Sequence, residues 1–171
     1  MKFSAAGLAL LKKSEGFRSH VYLDAAGLPT IGYGHRLLNP NSFDEVTEEF
    51  ASTILASDVR DAEHAVDRLV KVPLTQGQYD ALVDFTFNLG SKRLQNSKLL
   101  KLLNAGRYDD VPEQLLEWDH CKGTEMPALK ARRMAECALW RQDSSQSSVV
   151  SGQTEERTEN RELRTDVETQ S

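Results

Sequence analysis

The stretch SEGFRSHVYLDAAGLPTIGYGH, residues 14–35, constrains the chain more than any other. Before it, residues 3–14 read as a short helix with Ser4 as N-cap. Leu8, Leu11 and Glu15 follow at i, i+3 and i+7, so Glu15 continues the apolar stripe. Gly16 is a natural helix stop. Beyond it, residues 20–23 and 30–33 are short β-prone runs around a turn at 25–29 centred on Gly27. A helix must therefore hand over directly to a hairpin, with a carboxylate at the junction.

The chemistry follows from these placements. A carboxyl on an apolar stripe is partly desolvated, which favours its protonated form and suits a general acid. Asp24 and Thr30 lie three residues either side of Gly27. Pairing about that centre sets them opposite each other, about 5 Å apart at Cβ. Asp24, in a polar turn, is expected to be ionised, and a carboxylate beside a hydroxyl can hold and deprotonate a water. Two carboxylates in different environments are what hydrolysis of a glycosidic bond needs. Taken singly, a Glu before Gly is an ordinary helix end and an Asp at a turn an ordinary turn former. Together, E-x8-D-x5-T followed by IGYGH is specific.

This segment resembles the catalytic signature of the phage-type lysozymes, glycoside hydrolase family 24, the endolysins of lambdoid and T-even phages. The residues carrying the resemblance are Glu15, Asp24 and Thr30 within YLDAAGLPTIGYGH. FNLG (87–90), NSKLLKLLNAG (96–106) and MPALKARRMAECALW (126–140) extend it to about residues 1–142. It departs from the pattern at Ala128, where many relatives carry Gly. The resemblance implies an α+β, mostly α, lysozyme-like fold with a small β-hairpin lobe at about 14–46, a long connecting helix, and a helical lobe at about 72–142 that includes the N-terminal helix. It implies an inverting N-acetylmuramidase acting on the β-1,4 link of bacterial peptidoglycan. Glu15 would be the acid, with Asp24 and Thr30 holding the water. Phe87, Asn88, Ser97 and Arg36 are candidate substrate contacts. The resemblance also implies release through a holin, from the host cytoplasm to the wall. A monomer is expected. A lytic transglycosylase, which needs one acid and no water, and a non-catalytic wall-binding module remain alternatives.

Composition sets outer limits. The chain has 171 residues, 39% hydrophobic, and a net charge of −5. With no basic stripe and a pI near 5.4, nucleic acid is an improbable partner. No transmembrane span is present. The apolar run 3–11 is expected to belong to the fold rather than to a cleaved leader. Cys121 and Cys137 have neither metal-ligand nor redox spacing and are expected as buried thiols, and no metal or cofactor is called for. From Asp143 onward, seven acidic and three basic residues give −4, leaving −1 for residues 1–142. With few hydrophobic residues, that tail is expected to be disordered.

The rest reads as helices. Residues 47–71 suggest one long amphipathic helix with Ala51, Leu55, Val59, Ala62, Val66 and Leu69 on one stripe. Thr75 to Gln78 is a capping-box pattern opening the next helix, on which Tyr79, Leu82, Val83 and Thr86 share a face. Ser97 caps a short helix ending near Gly106. Further helices are expected at about 109–118 and 127–140. His35 suits an ion pair with that long helix, by alignment with Asp61, although Asp58 is one turn away. Arg132 or Arg133 would hold Glu15. Lys12, Lys13, Arg18, Arg36, Lys130, Arg132 and Arg133 could form a positive rim.

Overall fold

The computed structural model describes residues 1–24, 27–39, 41–121 and 123–142. The tail from 143 onward and the side chain of Cys121 lie outside the described residues.

Helix α1 spans Ala5–Glu15. The Ser4 hydroxyl oxygen accepts from the Gly7 N–H at 3.2 Å, as a cap should. Gly16, at φ +72°, ends the helix with its N–H on the Lys12 carbonyl. Three antiparallel strands follow in the order β1 (Arg18–Leu23), β2 (Pro29–Gly32) and β3 (His35–Arg36). The two-residue β3 carries no periodic signal and was not expected from the sequence. It makes β2 the central strand, which explains why Thr30 is only 2% exposed and Ile31 fully buried.

The hairpin register differs from the expected one. Thr30 pairs with Tyr22, and Leu23 with Pro29. The pairing is therefore offset by one residue from a turn centred on Gly27. Asp24 itself sets this register. Its N–H donates to the Leu28 carbonyl (3.0 Å), and its Oδ1 accepts the Leu28 N–H (2.9 Å). Asp24 and Thr30 are thus diagonal neighbours on one face, a spacing of about 7–8 Å rather than a direct pair.

Residues 47–71 form two helices, α2 (Glu48–Asp58) and α3 (Arg60–Leu69), rather than one. No Gly or Pro marks the break at Val59, whose N–H still bonds Leu55 and whose carbonyl still accepts from Glu63. The break coincides with Asp58 turning its carboxylate to His35 of β3 (2.8 Å). The expected stripe survives on both sides: Ala51, Leu55, Val59, Ala62 and Val66 are buried.

The sheet packs on α2 through a close approach. A Cβ at Gly32 would stand 3.0 Å from the Ala51 Cβ, and Gly32 sits at φ +65°. Gly32→Ala is therefore strained in its backbone and crowded in its side chain. It should lower stability by about 2 kcal/mol or more. A melting midpoint within a degree of the parent would refute this.

Helix α4 (Gln76–Leu89) begins with the expected capping box, Thr75 and Gln78 each accepting the other's N–H. It is buried on all sides from Gly77 to Thr86, not on one face. Helices α1, α3, α5 (Ser91–Asn96) and α8 (Pro127–Gln142) pack against it, while α6 (Lys98–Asn104) and, after a 3-10 turn at Tyr108–Asp110, α7 (Val111–Leu116) connect α5 to α8 along the chain. A small hairpin, β4 (His120–Cys121) and β5 (Thr124–Glu125), precedes α8. The start of the chain is tied to this core. The Phe3 N–H donates to Glu63 of α3 (2.7 Å), and the Ser4 N–H (3.0 Å) and hydroxyl both donate to the Asp80 carboxylate of α4. Those bonds fix the axis of α1, and with it the position of Glu15.

Candidate active site

Glu15 stands where sheet and helices meet. On the helical side, Arg132 of α8 donates Nη1–H to its Oε1 at 2.7 Å. On the sheet side, the turn between β2 and β3 passes over it: a Cβ at Gly34 would lie 3.7 Å from Glu15 Oε2. The Glu15 side chain is 24% exposed. Leu11, one turn earlier, is fully buried, so the apolar stripe exists. The carboxylate itself is ion-paired rather than set in an apolar pocket, because α8 brings a guanidinium that the local stripe cannot reveal.

Arg132 is itself held. Its Nε and Nη2 donate to the two oxygens of Asp84 at 2.8 and 3.1 Å, a bidentate grip on a carboxylate with no exposure. Burial weakens the guanidinium's hold on its proton, but Asp84 and Glu15 outweigh this and keep it charged above the ordinary range. The chain Asp84–Arg132–Glu15 thus fixes one oxygen of the carboxylate and leaves the other toward the Gly34 turn.

Asp24 and Thr30 occupy the other end of the same hairpin. Asp24 Oδ2 lies 3.7 Å from Arg36 Nη2, and Arg36 pairs with Thr30 across β2 and β3. The Thr30 hydroxyl donates to the Leu28 carbonyl at 3.0 Å. Its proton is therefore committed, and its oxygen is left as an acceptor. Among the described residues, no cluster of three or more His, Cys, Asp or Glu could hold a metal ion.

The family model for phage lysozyme matches residues 12–136. The chain is 40% identical over 144 residues to an endolysin of Acyrthosiphon pisum secondary endosymbiont phage 1, covering 82% of this chain and 98% of that one. It is 38% identical to the endolysin of Salmonella phage P22, with the same coverage. Among solved structures, the muramidase domain of SpmX from Asticaccaulis excentricus superposes with a TM-score of 0.75. That pair is 35% identical, covering 81% of this chain and 97% of the other. The chain belongs to the phage lysozyme family.

In this phage lysozyme family member the site continues inward, where sequence reading found only part of it. Arg133 is fully buried, its Nη2 donating to Asn88 Oδ1 at 2.9 Å and lying 2.8 Å from Glu136 Oε1. Its guanidinium also sits over the Phe85 ring, 5.1 Å from the centroid. Asp84 and Glu136 were not singled out from the sequence. The available signal was a charge inside an apolar run, Asp84 in ALVDFTF, and Glu136 four residues after Arg132 on the buried side of α8. Three carboxylates and two guanidiniums converge here. Burial pushes the Glu136 carboxyl well above the usual range, against the opposing pull of Arg133.

That shift has a definite sign. A carboxyl raised in the folded state contributes stability below its unfolded value, and the contribution is lost as pH rises toward the folded value. Glu136→Gln mimics the protonated form. Its melting midpoint should gain on the parent's progressively as pH rises from about 4.5. A constant difference between the two across pH 4–8 would contradict this.

The remaining candidates divide. His35 pairs with Asp58, not with Asp61, because α2 ends at Asp58 and that residue reaches β3. Phe87 is half-buried and lines a recess of about 190 Å³ with Asp58, Asp61 and Ala62. Asn88 turns its carbonyl oxygen inward to Arg133. Ser97, 4% exposed, accepts from the Leu100 N–H and donates to the Leu94 carbonyl, so its hydroxyl is taken on both sides rather than presented on a cleft wall. The expected positive rim is largely occupied. Arg132 and Arg133 are buried, Lys12 and Arg18 lie over the Tyr33 and Tyr22 rings, Arg36 faces Asp24, and Lys130 pairs with Glu125. Cys137 is the buried thiol expected, bonded to the Pro112 carbonyl.

Proposed function

We propose that this lysozyme hydrolyses the β-1,4 bond between N-acetylmuramic acid and N-acetylglucosamine in bacterial peptidoglycan, with Glu15 as general acid and Asp24 and Thr30 positioning the water. The observation that carries the reading is the placement of Glu15 between the Arg132–Asp84 grip and the Gly34 turn. A carboxyl fixed at one oxygen presents the other in a defined direction, and general acid catalysis depends on that geometry first. Thr30 supports the second half. With its proton committed to Leu28, it accepts one hydrogen of a water while the Asp24 carboxylate accepts the other. The water's lone pair is then free to attack an oxocarbenium-like carbon. Inversion follows if the two carboxyls stand about 6.5–9.5 Å apart with that water between them.

Among the described residues, no helix is long and apolar enough to cross a membrane. In this reading the enzyme works as a monomer, leaves the host cytoplasm once a holin opens the membrane, and acts on the wall beyond it.

Digestion of purified peptidoglycan tests the reaction. Reducing ends at N-acetylmuramic acid, released first as the α anomer in proton NMR, are expected. Anhydro-muramyl ends would replace hydrolysis with transglycosylation, and a β first product would replace inversion with retention.

A further inference from the structure

Between Asp84 and Asp109 the chain carries five cations and no Asp or Glu, although acidic residues outnumber basic ones 26 to 21 overall. Arg107 is paired with Asp110. The other four, Lys92, Arg93, Lys98 and Lys101, are exposed, and among the described residues none has an ion-pair partner. Lys98 and Lys101, three apart, share the outer side of α6, while Leu99, Leu100 and Leu103 are buried in the core. Lys92 and Arg93 line a groove of about 440 Å³ with Leu89, Asn96 and Trp118. A cationic face therefore adjoins a partly apolar groove.

The chain itself carries a segment that matches. Residues 144–154 have no charge, and residues 155–168 then have six acidic and three basic residues with no Gly or Pro. At helical spacing, Glu155, Glu159, Glu162 and Asp166 follow at i, i+4, i+7 and i+11, one continuous stripe. Arg157, Arg161 and Arg164 repeat that spacing two residues later, which puts them on the opposite side. Leu163 and Val167, the apolar residues of the segment, flank the acidic stripe. Composition does not require this sorting of charge by face. A helix of this length is marginal alone and needs a surface to pack on. The point of attachment is close. The Cys137 thiol of α8 bonds the Pro112 carbonyl of α7, and α7 packs on α6. Two helix spacings of about 8–10 Å each therefore separate α8 from α6, and the uncharged residues 144–154 reach about 36–40 Å when extended.

We propose that segment 155–168 forms a helix that lies on the α5–α6 face of its own chain as a displaceable cover. Its acidic stripe meets Lys92, Arg93, Lys98 and Lys101, and Leu163 and Val167 meet Leu89 and Trp118. Exposed ion pairs are individually weak, but tethering holds the segment at an effective concentration on the order of mM. A second copy offers the same stripe only at its solution concentration, so the chain's own face is favoured. Covered in this way, the face is closed to other polyanions until salt or a competing polyanion displaces the segment. The proposal does not depend on the reaction assigned above.

The test treats the full chain, at low concentration and low salt, with a carbodiimide, which joins a carboxylate to a lysine amine in contact with it. The joined residues are mapped by mass spectrometry of the monomeric band. A second full chain carries Glu159→Arg, Arg161→Glu, Glu162→Arg and Arg164→Glu, which keeps composition and net charge and breaks the stripe. Cross-links from 155–168 to Lys92, Lys98 or Lys101 are expected in the first protein. They should fall about fivefold or more at 1 M salt, where screening acts within about 3 Å, and by a similar factor in the second protein. The second protein should also elute from a heparin column at higher salt than the first, because its cationic face is open. Cross-links spread evenly over Lys12, Lys13 and Lys130 as well, or confined to a dimeric band, would overturn the proposal. Equal cross-linking of the two proteins would reduce the contact to net charge alone and overturn it, and equal elution would show that nothing covers the face. The four exchanged residues belong to none of the helices that build the core, and the first protein's cross-link map decides alone if the second fails to fold.

Discussion

Glu15→Gln should reduce lysis of permeabilised Gram-negative cells by at least about 10²–10⁴-fold, the range of a single general acid. The substitution removes the transferable proton and little else. A glutamine carbonyl oxygen can still accept from Arg132 Nη1, now 2.7 Å from Glu15 Oε1, and Arg132 keeps its two bonds to Asp84. The melting midpoint should therefore stay within a few degrees of the parent's. Turbidity decay together with a thermal melt distinguishes loss of the acid from loss of the fold. Lysis at the parental rate would remove Glu15 from the mechanism.

Arg132→Met should be damaging in a different way. It removes the cation beside Asp84, a carboxylate with no exposure, and beside Glu15. Breaking a buried pair by deleting one partner costs about 3–5 kcal/mol, because the other charge is left uncompensated. In a domain of this size that is roughly 10 °C in the melting midpoint. Adding Asp84→Leu removes the stranded charge, so the double variant should recover most of the stability. Its activity should not recover, since Glu15 still lacks the guanidinium that orients it. Recovery of both would show that Arg132 serves the fold alone. Recovery of neither would show that its packing, not its charge, is what matters. Arg132→Lys, which keeps a charge but cannot grip Asp84 with two donors, should fall between the parent and Arg132→Met in stability.

The legible parts of the site were those written in local periodicity and turn chemistry. Ser4 as a cap, Glu15 at the end of α1, the Gly16 stop, and the Thr75–Gln78 capping box each depend on residues within one or two turns of one another. The hairpin was legible as a hairpin. Its register was not, because Asp24 uses both its backbone and its side chain to close the loop one residue earlier than the position of Gly27 suggests. The break at Val59 carries no Gly or Pro signal, and it coincides with a contact made by a residue of β3, 23 positions from Asp58. The choice of Asp58 over Asp61 for His35 follows from the same contact.

The sequence by itself determined which residues could do the chemistry: a carboxyl at a helix end, and a carboxylate and a hydroxyl on the following hairpin. Tertiary structure alone decided how they are held. Arg132 lies 117 residues from Glu15, and Asp84 lies 48 from Arg132. No local pattern encodes such separations. They close because α1, α4 and α8 bury their apolar faces together, and a charge caught in that burial is tolerated only with a partner. That requirement turns the end of α1 from an apolar stripe into an ion-paired acid.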